Sequence, residues 1–86
     1  MITRSEKYAR YIKEHPSYAI MEQTFYEFPN GYGASVIHGD YTYGLEAAVI
    51  RWNNNTWEFD YNTIVAHGVM GYIEDLDEVL EQIYNL

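Results

Sequence analysis

Thr56-Trp57-Glu58-Phe59-Asp60-Tyr61 alternates without a fault, setting Trp57, Phe59 and Tyr61 on one side of an extended chain and Thr56, Glu58 and Asp60 on the other. A period of two over six residues reads as a strand, and Asn53-Asn54-Asn55 before it reads as the turn from a preceding strand, Leu45 to Trp52. Further upstream, Phe28-Pro29-Asn30-Gly31 is a tight-turn signature, because proline presets φ at its second position and glycine accepts the left-handed backbone. It predicts a hairpin between a strand in Tyr18 to Phe28, where Met21-Glu22-Gln23 suggests a bulge, and a strand from Gly33 to His38. Gly39-Asp40-Tyr41-Thr42-Tyr43-Gly44 is a longer connection.

The two ends of the chain read as helices. Thr3-Arg4-Ser5-Glu6 has capping-box spacing, and Tyr8, Tyr11, Ile12 and His15 follow at i, i+3, i+4 and i+7, predicting a helix from Arg4 to His15 that Pro16 ends. Asp75-Leu76-Asp77-Glu78 repeats the capping logic ahead of a second apolar face at Leu76, Val79, Leu80 and Ile83. Between the last strand and this helix, Thr63 to Ile73 is broken by Gly68 and Gly71 and is expected to be a loop with one helical turn. The predicted fold is therefore α+β in one domain spanning residues 1–86. It comprises an N-terminal helix, a four-stranded antiparallel β-meander and a C-terminal helix, with both helices on one face of the sheet and the other face open.

Charge is segregated along this frame. Arg4, Lys7, Arg10 and Lys13 against Glu6 and Glu14 give residues 1–14 a charge of +2, whereas Arg51 against eleven carboxylates gives residues 15–86 a charge of −10. A domain with net charge −8 repels nucleic acid and anionic membranes and is steered toward basic surfaces. With 48% hydrophobic and 17% aromatic residues the chain has the material for a core, unlike an acidic disordered tail. The absence of cysteine excludes a disulfide scaffold, thiolate metal sites and thiol nucleophiles. Without a secretory h-region or a long apolar run, a soluble protein of the cytoplasm is the expectation.

Phe28-Pro29-Asn30-Gly31-Tyr32-Gly33-Ala34-Ser35-Val36, Tyr41-Thr42-Tyr43-Gly44 and Leu45-Glu46-Ala47-Ala48-Val49 together resemble a family of small phage and prophage proteins of unassigned function. The resemblance runs from about Phe28 to the final helix and leaves out the basic N-terminal segment. A phage origin implies, by analogy alone, an inhibitor of host defence or DNA-handling machinery, the anti-CRISPR proteins being one such class, that acts in the host cytoplasm.

Residues that could carry chemistry are sparse. His15, His38 and His67 stand at no metal-ligand spacing, and a histidine with Asp40 or Asp60 is the most that an enzymatic reading could use. Ser35 lacks the second glycine of a nucleophile elbow, and Gly31-Tyr32-Gly33 lacks the lysine and following helix of a phosphate loop. No enzyme, cofactor or metal site is therefore expected. The partner-binding surface is expected instead from carboxylates, Glu46, Glu58 and Asp60 on the sheet and Asp75, Asp77, Glu78 and Glu81 on the last helix, which would mimic a phosphate track toward a basic host protein. Taken one at a time these residues read first as a solvated sheet face and a solvated helix face, and it is the net charge that favours the collective reading. Of the ten tyrosines, Tyr32, Tyr41 and Tyr43 are expected to be exposed and to add contact area, while Tyr8, Tyr11 and Tyr61 suit the core or its edge. The alternative is a structural or assembly accessory acting through homo-oligomer contacts. The +2 segment of one copy pairing with the acidic helix of another would make a homodimer.

Overall fold

A computed structural model describes residues 2–16, 21–63 and 68–86. Among these residues six strands form an antiparallel sheet: β1 (Ile12–Lys13), β2 (Glu22–Glu27), β3 (Tyr32–His38), β4 (Glu46–Asn53), β5 (Thr56–Phe59) and β6 (Val69–Met70). One helix follows, α1 (Leu76–Tyr84). Strands β1 to β5 lie in sequence order. β3 occupies one edge of β4, and the other edge is divided, β5 taking Ile50 to Asn53 while β6 takes Ala47 and Ala48.

The expected N-terminal helix does not form, and the meander has more strands than the four anticipated. Residues 4–15 instead make a single 3₁₀ turn, Ala9–Tyr11, and then strand β1. The reason lies in where Thr3 and Ser5 send their oxygens. Thr3 Oγ1 bonds the Glu22 carboxylate and lies 2.8 Å from Thr24 Oγ1, and the Thr3 N–H donates to the same carboxylate at 2.6 Å. Ser5 Oγ donates to Asp77 and accepts the Tyr8 N–H at 3.1 Å, closing a local turn in place of a helical first turn. The fully buried Tyr26 hydroxyl completes the arrangement by donating to the Thr3 carbonyl at 2.6 Å and accepting the Ser5 N–H at 2.9 Å. A helix of a dozen residues is marginal on its own, so this buried set of partners decides the conformation.

β2 runs without a bulge from Glu22, while the upstream part of the strand expected from Tyr18 lies outside the described residues. The same holds for residues 64–67 of the predicted helical turn, and the chain beyond them contributes β6. Gly68, at φ +88°, makes this return possible, because a Cβ there would sit 2.3 Å from the Asp60 carbonyl oxygen.

α1 forms where the sequence indicates, with Asp75 as N-cap accepting the Glu78 N–H at 3.2 Å. Its buried residues Leu80 and Ile83 pack on Tyr26, Ala34, Val36, Ala47 and Val49, which the register places on one side of the sheet. The Pro29-Asn30-Gly31 turn closes the other end of α1. The Asn30 amide donates to the carbonyls of Ile83 and Tyr84, both at 3.0 Å, while its oxygen accepts the Tyr32 N–H at 3.0 Å. One side chain thus shapes the β2–β3 turn and satisfies the carbonyls that the helix end leaves without intrahelical partners.

Two outcomes follow from these contacts. Asn30→Asp sets a carboxylate against the negative end of α1 and removes its donors, so the urea midpoint should fall by the equivalent of about 2 kcal/mol at neutral pH. At Glu22, burial pushes the carboxyl up, but the hydrogen bonds from Thr3 outweigh it and hold the group below its ordinary value of 4.5. A carboxyl depressed in the folded state contributes stability above its unfolded value and loses it as pH falls through the folded one. Denaturation measured from pH 6 down to below 4.5 should therefore show a loss that Glu22→Gln flattens.

Candidate functional site

Among the described residues, no helix covers the side of the sheet away from α1. The register collects Phe25, Ser35, Ala48 and Val69 there in one row, Ile50 with Phe59 in the next and Trp52 with Trp57 beyond. This face is rich in aromatic rings that touch in series. Phe25 meets Trp57 at 5.4 Å between centroids, Trp57 meets Phe59 edge-on at 5.0 Å, and Phe59 stacks on Tyr61 at 5.6 Å. Phe59 and Tyr61 are 46% and 58% exposed, so Tyr61 does not belong to the core edge. The strand alternation is as read, but its aromatic side faces away from α1, because the helix lies across β3 on the other side.

At one end of this face a groove of about 290 Å³ runs between Trp57, Phe59 and Tyr61 on one side and Gln23, Ser35 and Ile37 on the other, with Glu46 among its lining residues. The Glu46 carboxylate is held by the Tyr43 N–H at 2.6 Å. Gln23 donates its amide to Ser35 Oγ at 2.9 Å, and among the described residues its buried amide oxygen has no donor.

At the opposite end the same ingredients are already filled. Lys13 Nζ lies 4.5 Å above the Trp52 ring, 3.2 Å from a Glu27 carboxylate oxygen and 2.8 Å from the Asn54 carbonyl oxygen. His15 packs edge-on against Trp52 and Phe25, at 5.7 and 5.1 Å. His38 stands opposite Glu22 in the β2–β3 ladder, and His67 lies outside the described residues. Among the described residues no group of three or more His, Cys, Asp or Glu is placed to hold a metal ion.

The carboxylates expected to form one patch are distributed over the molecule. Glu58 is opposite Arg51 and so on the reverse side of the sheet from Glu46, and Asp60 lies 3.9 Å from the Arg51 guanidinium while accepting the Asn62 N–H. Asp77 is engaged by Ser5, and Asp75 caps α1. Glu78 and Glu81 are exposed on the helix. Asp75 and Glu78 join Glu74, which sequence reasoning did not single out, along a shallow groove between α1 and the chain around Met70 to Ile73. Among the described residues none of these helix carboxylates has a cation within ion-pair distance.

The tyrosines divide likewise. Tyr41 and Tyr43 are 90% and 67% exposed, whereas Tyr32 is half-buried against the core with the Arg51 guanidinium 5.1 Å from its ring centroid. A further surface tyrosine, Tyr72, is 73% exposed, and its backbone is left-handed at φ 51°. The Tyr72 N–H donates to the Tyr43 carbonyl at 2.7 Å, and the two rings lie 5.9 Å apart. For a bulky side chain that backbone costs about 1–3 kcal/mol, and such strain concentrates at functional surfaces. The signal available in sequence was Gly71, whose Cα is so close to Tyr43 that an added Cβ would meet the Tyr43 side chain at 3.1 Å. Gly71 also borders the acidic groove, so the Tyr43–Tyr72 pair stands between that groove and Glu46.

No helix among the described residues is long and apolar enough to cross a membrane. Comparison of the chain with protein-family models, with curated proteins and with solved structures finds no match.

Proposed function

We propose that this chain is a non-enzymatic, phage-derived inhibitor that binds a basic surface of a host nucleic-acid-handling or defence protein, a CRISPR effector being one such target. The observation that carries the reading is the acidic groove beside α1. Glu74, Asp75 and Glu78 line it, and no cation among the described residues lies within ion-pair distance of them. Uncompensated carboxylates on a domain of net charge −8 steer it toward cationic surfaces, and the exposed Tyr43 and Tyr72 beside them, with Tyr41 also exposed, offer contact area with polar tips. The same charge makes nucleic acid and anionic membranes unfavourable partners. A second reading, assembly through homo-oligomer contacts, draws on the exposed Phe59–Tyr61 pair, and two copies of charge −8 would associate better as salt rises.

Affinity capture from a bacterial lysate at about 0.1 M and about 1 M salt, between which the Debye length falls from ~10 to ~3 Å, separates the two readings. The inhibitor should retain a nucleic-acid-handling protein at low salt only. Reversing two exposed carboxylates, Glu78→Lys with Glu81→Lys, should weaken that capture roughly tenfold while the fold remains intact by circular dichroism. Recovery of the chain alone, with a mass that rises with concentration and salt, would turn the assignment toward assembly.

A further inference from the structure

The open sheet face uses one recognition device twice, and among the described residues only one copy holds a cation. At the β1 end, an aromatic ring and a carboxylate, Trp52 and Glu27, hold the chain's own Lys13 between them. At the β6 end, Trp57, Phe59 and Tyr61 line a groove together with the Glu46 carboxylate. Its space of about 290 Å³ is at the small end for ligand sites, suited to a single side chain.

None of the five lysines and arginines reaches that groove. Arg4 is paired with Glu14, Lys7 lies over Tyr8, Arg10 over Tyr11, Lys13 over Trp52, and Arg51 is shared between Tyr32 and Asp60. Among the described residues, each of these aromatic–cation contacts is supplied internally, whereas this groove has rings and a carboxylate and no lysine or arginine.

We infer that the groove formed by Trp57, Phe59, Tyr61 and Glu46 receives an arginine side chain of the protein partner. The inference rests on the reading above that the partner is basic. Guanidinium is the cation the geometry favours. It is planar, more weakly hydrated than an ammonium, and stacks on aromatic faces while its edge N–H groups donate to a carboxylate. The rings of Trp57, Phe59 and Tyr61 brace one another by an edge contact and a stack, and Glu46 is fixed by the Tyr43 N–H, so little ordering is left to the moment of binding. Seating the partner's arginine here would also bring its surroundings against Tyr43 and Tyr72, next to the acidic groove.

The chain contains two tryptophans, and the structure gives them different states, which makes the test internal. A capped glycine–arginine repeat peptide is titrated into the full chain and followed by the indole N–H resonances, with lysine and citrulline versions of the peptide as comparisons. The arginine peptide should move the Trp57 signal and leave that of Trp52, already covered by Lys13, in place. Lysine should act more weakly, and the neutral citrulline peptide should not act. Glu46→Gln, which keeps an acceptor for the Tyr43 N–H, should weaken the arginine response about three- to fivefold. Equal responses to arginine and citrulline, or no response at Trp57, would overturn the inference. If the arginine peptide then moves only the backbone signals of Glu74 and Glu78, the basic-partner reading stands without this seat; if it moves neither set, both fall.

Discussion

Tyr26 joins three parts of the molecule that would otherwise have no reason to meet. Its ring lies in the core stacked on Phe28, and its hydroxyl holds the backbone of Thr3 and Ser5 in an otherwise dry place. Its carbonyl reaches the opposite side, accepting the Trp52 indole N–H at 2.8 Å. The indole crosses directly over Gly33, where a Cβ would meet Trp52 Nε1 at 2.6 Å, so the bond exists only because residue 33 has no side chain. With the hydroxyl buried and its donor and acceptor roles both used, burial pushes the phenol's pKa above its ordinary value of 10 and keeps it neutral at ordinary pH. The N-terminal turn, the placement of β1 and the orientation of Trp52 beneath Lys13 all depend on this residue.

The consequence for the surface is a sheet with unlike sides. One is closed by α1 and by the N-terminal segment, whose Tyr8 and Tyr11 pack with Phe28 and Tyr84. The other, among the described residues, has only its own side chains, and these are aromatic where an ordinary solvated sheet face would be polar. The carboxylates follow the same division, Glu46 on the open side and Glu58 on the reverse. A partner would therefore meet them as two separate features, an aromatic groove with one carboxylate and an acidic groove along the helix, joined at Gly71 and the Tyr43–Tyr72 pair.

What could be read from the sequence follows from the range of the forces involved. The strand read over Thr56 to Tyr61, the Pro29-Asn30-Gly31 turn and the capped helix at Asp75 are specified by neighbours a few residues apart; the turn and the helix form, and the strand forms over Thr56–Phe59, two residues short of its expected end. The N-terminal helix failed because spacing at i, i+3, i+4 and i+7 also suits a 3₁₀ turn leading into a strand, and the deciding partners of Thr3 and Ser5 lie 19 to 72 residues away. Alternation in Trp57, Phe59 and Tyr61 separates two faces but does not state which one is covered; that is set by where α1 lies. Strand β6 has two residues between glycines, too few for any period. The groove was illegible for the same reason, since β2, β3, β4, β5 and β6 each contribute to its lining.

The order in which the chain is made gives the position of α1 a further meaning. Every strand precedes the helix in sequence, so the sheet is synthesised with Tyr26, Val36 and Val49 uncovered until residues 76–84 appear. Ser5 and the Tyr8 ring, far upstream of the helix, also find their partners in Asp77 and Tyr84. Any folding intermediate that pairs the strands before residues 76–84 dock therefore exposes an apolar sheet face, and the docking of one short acidic helix removes it.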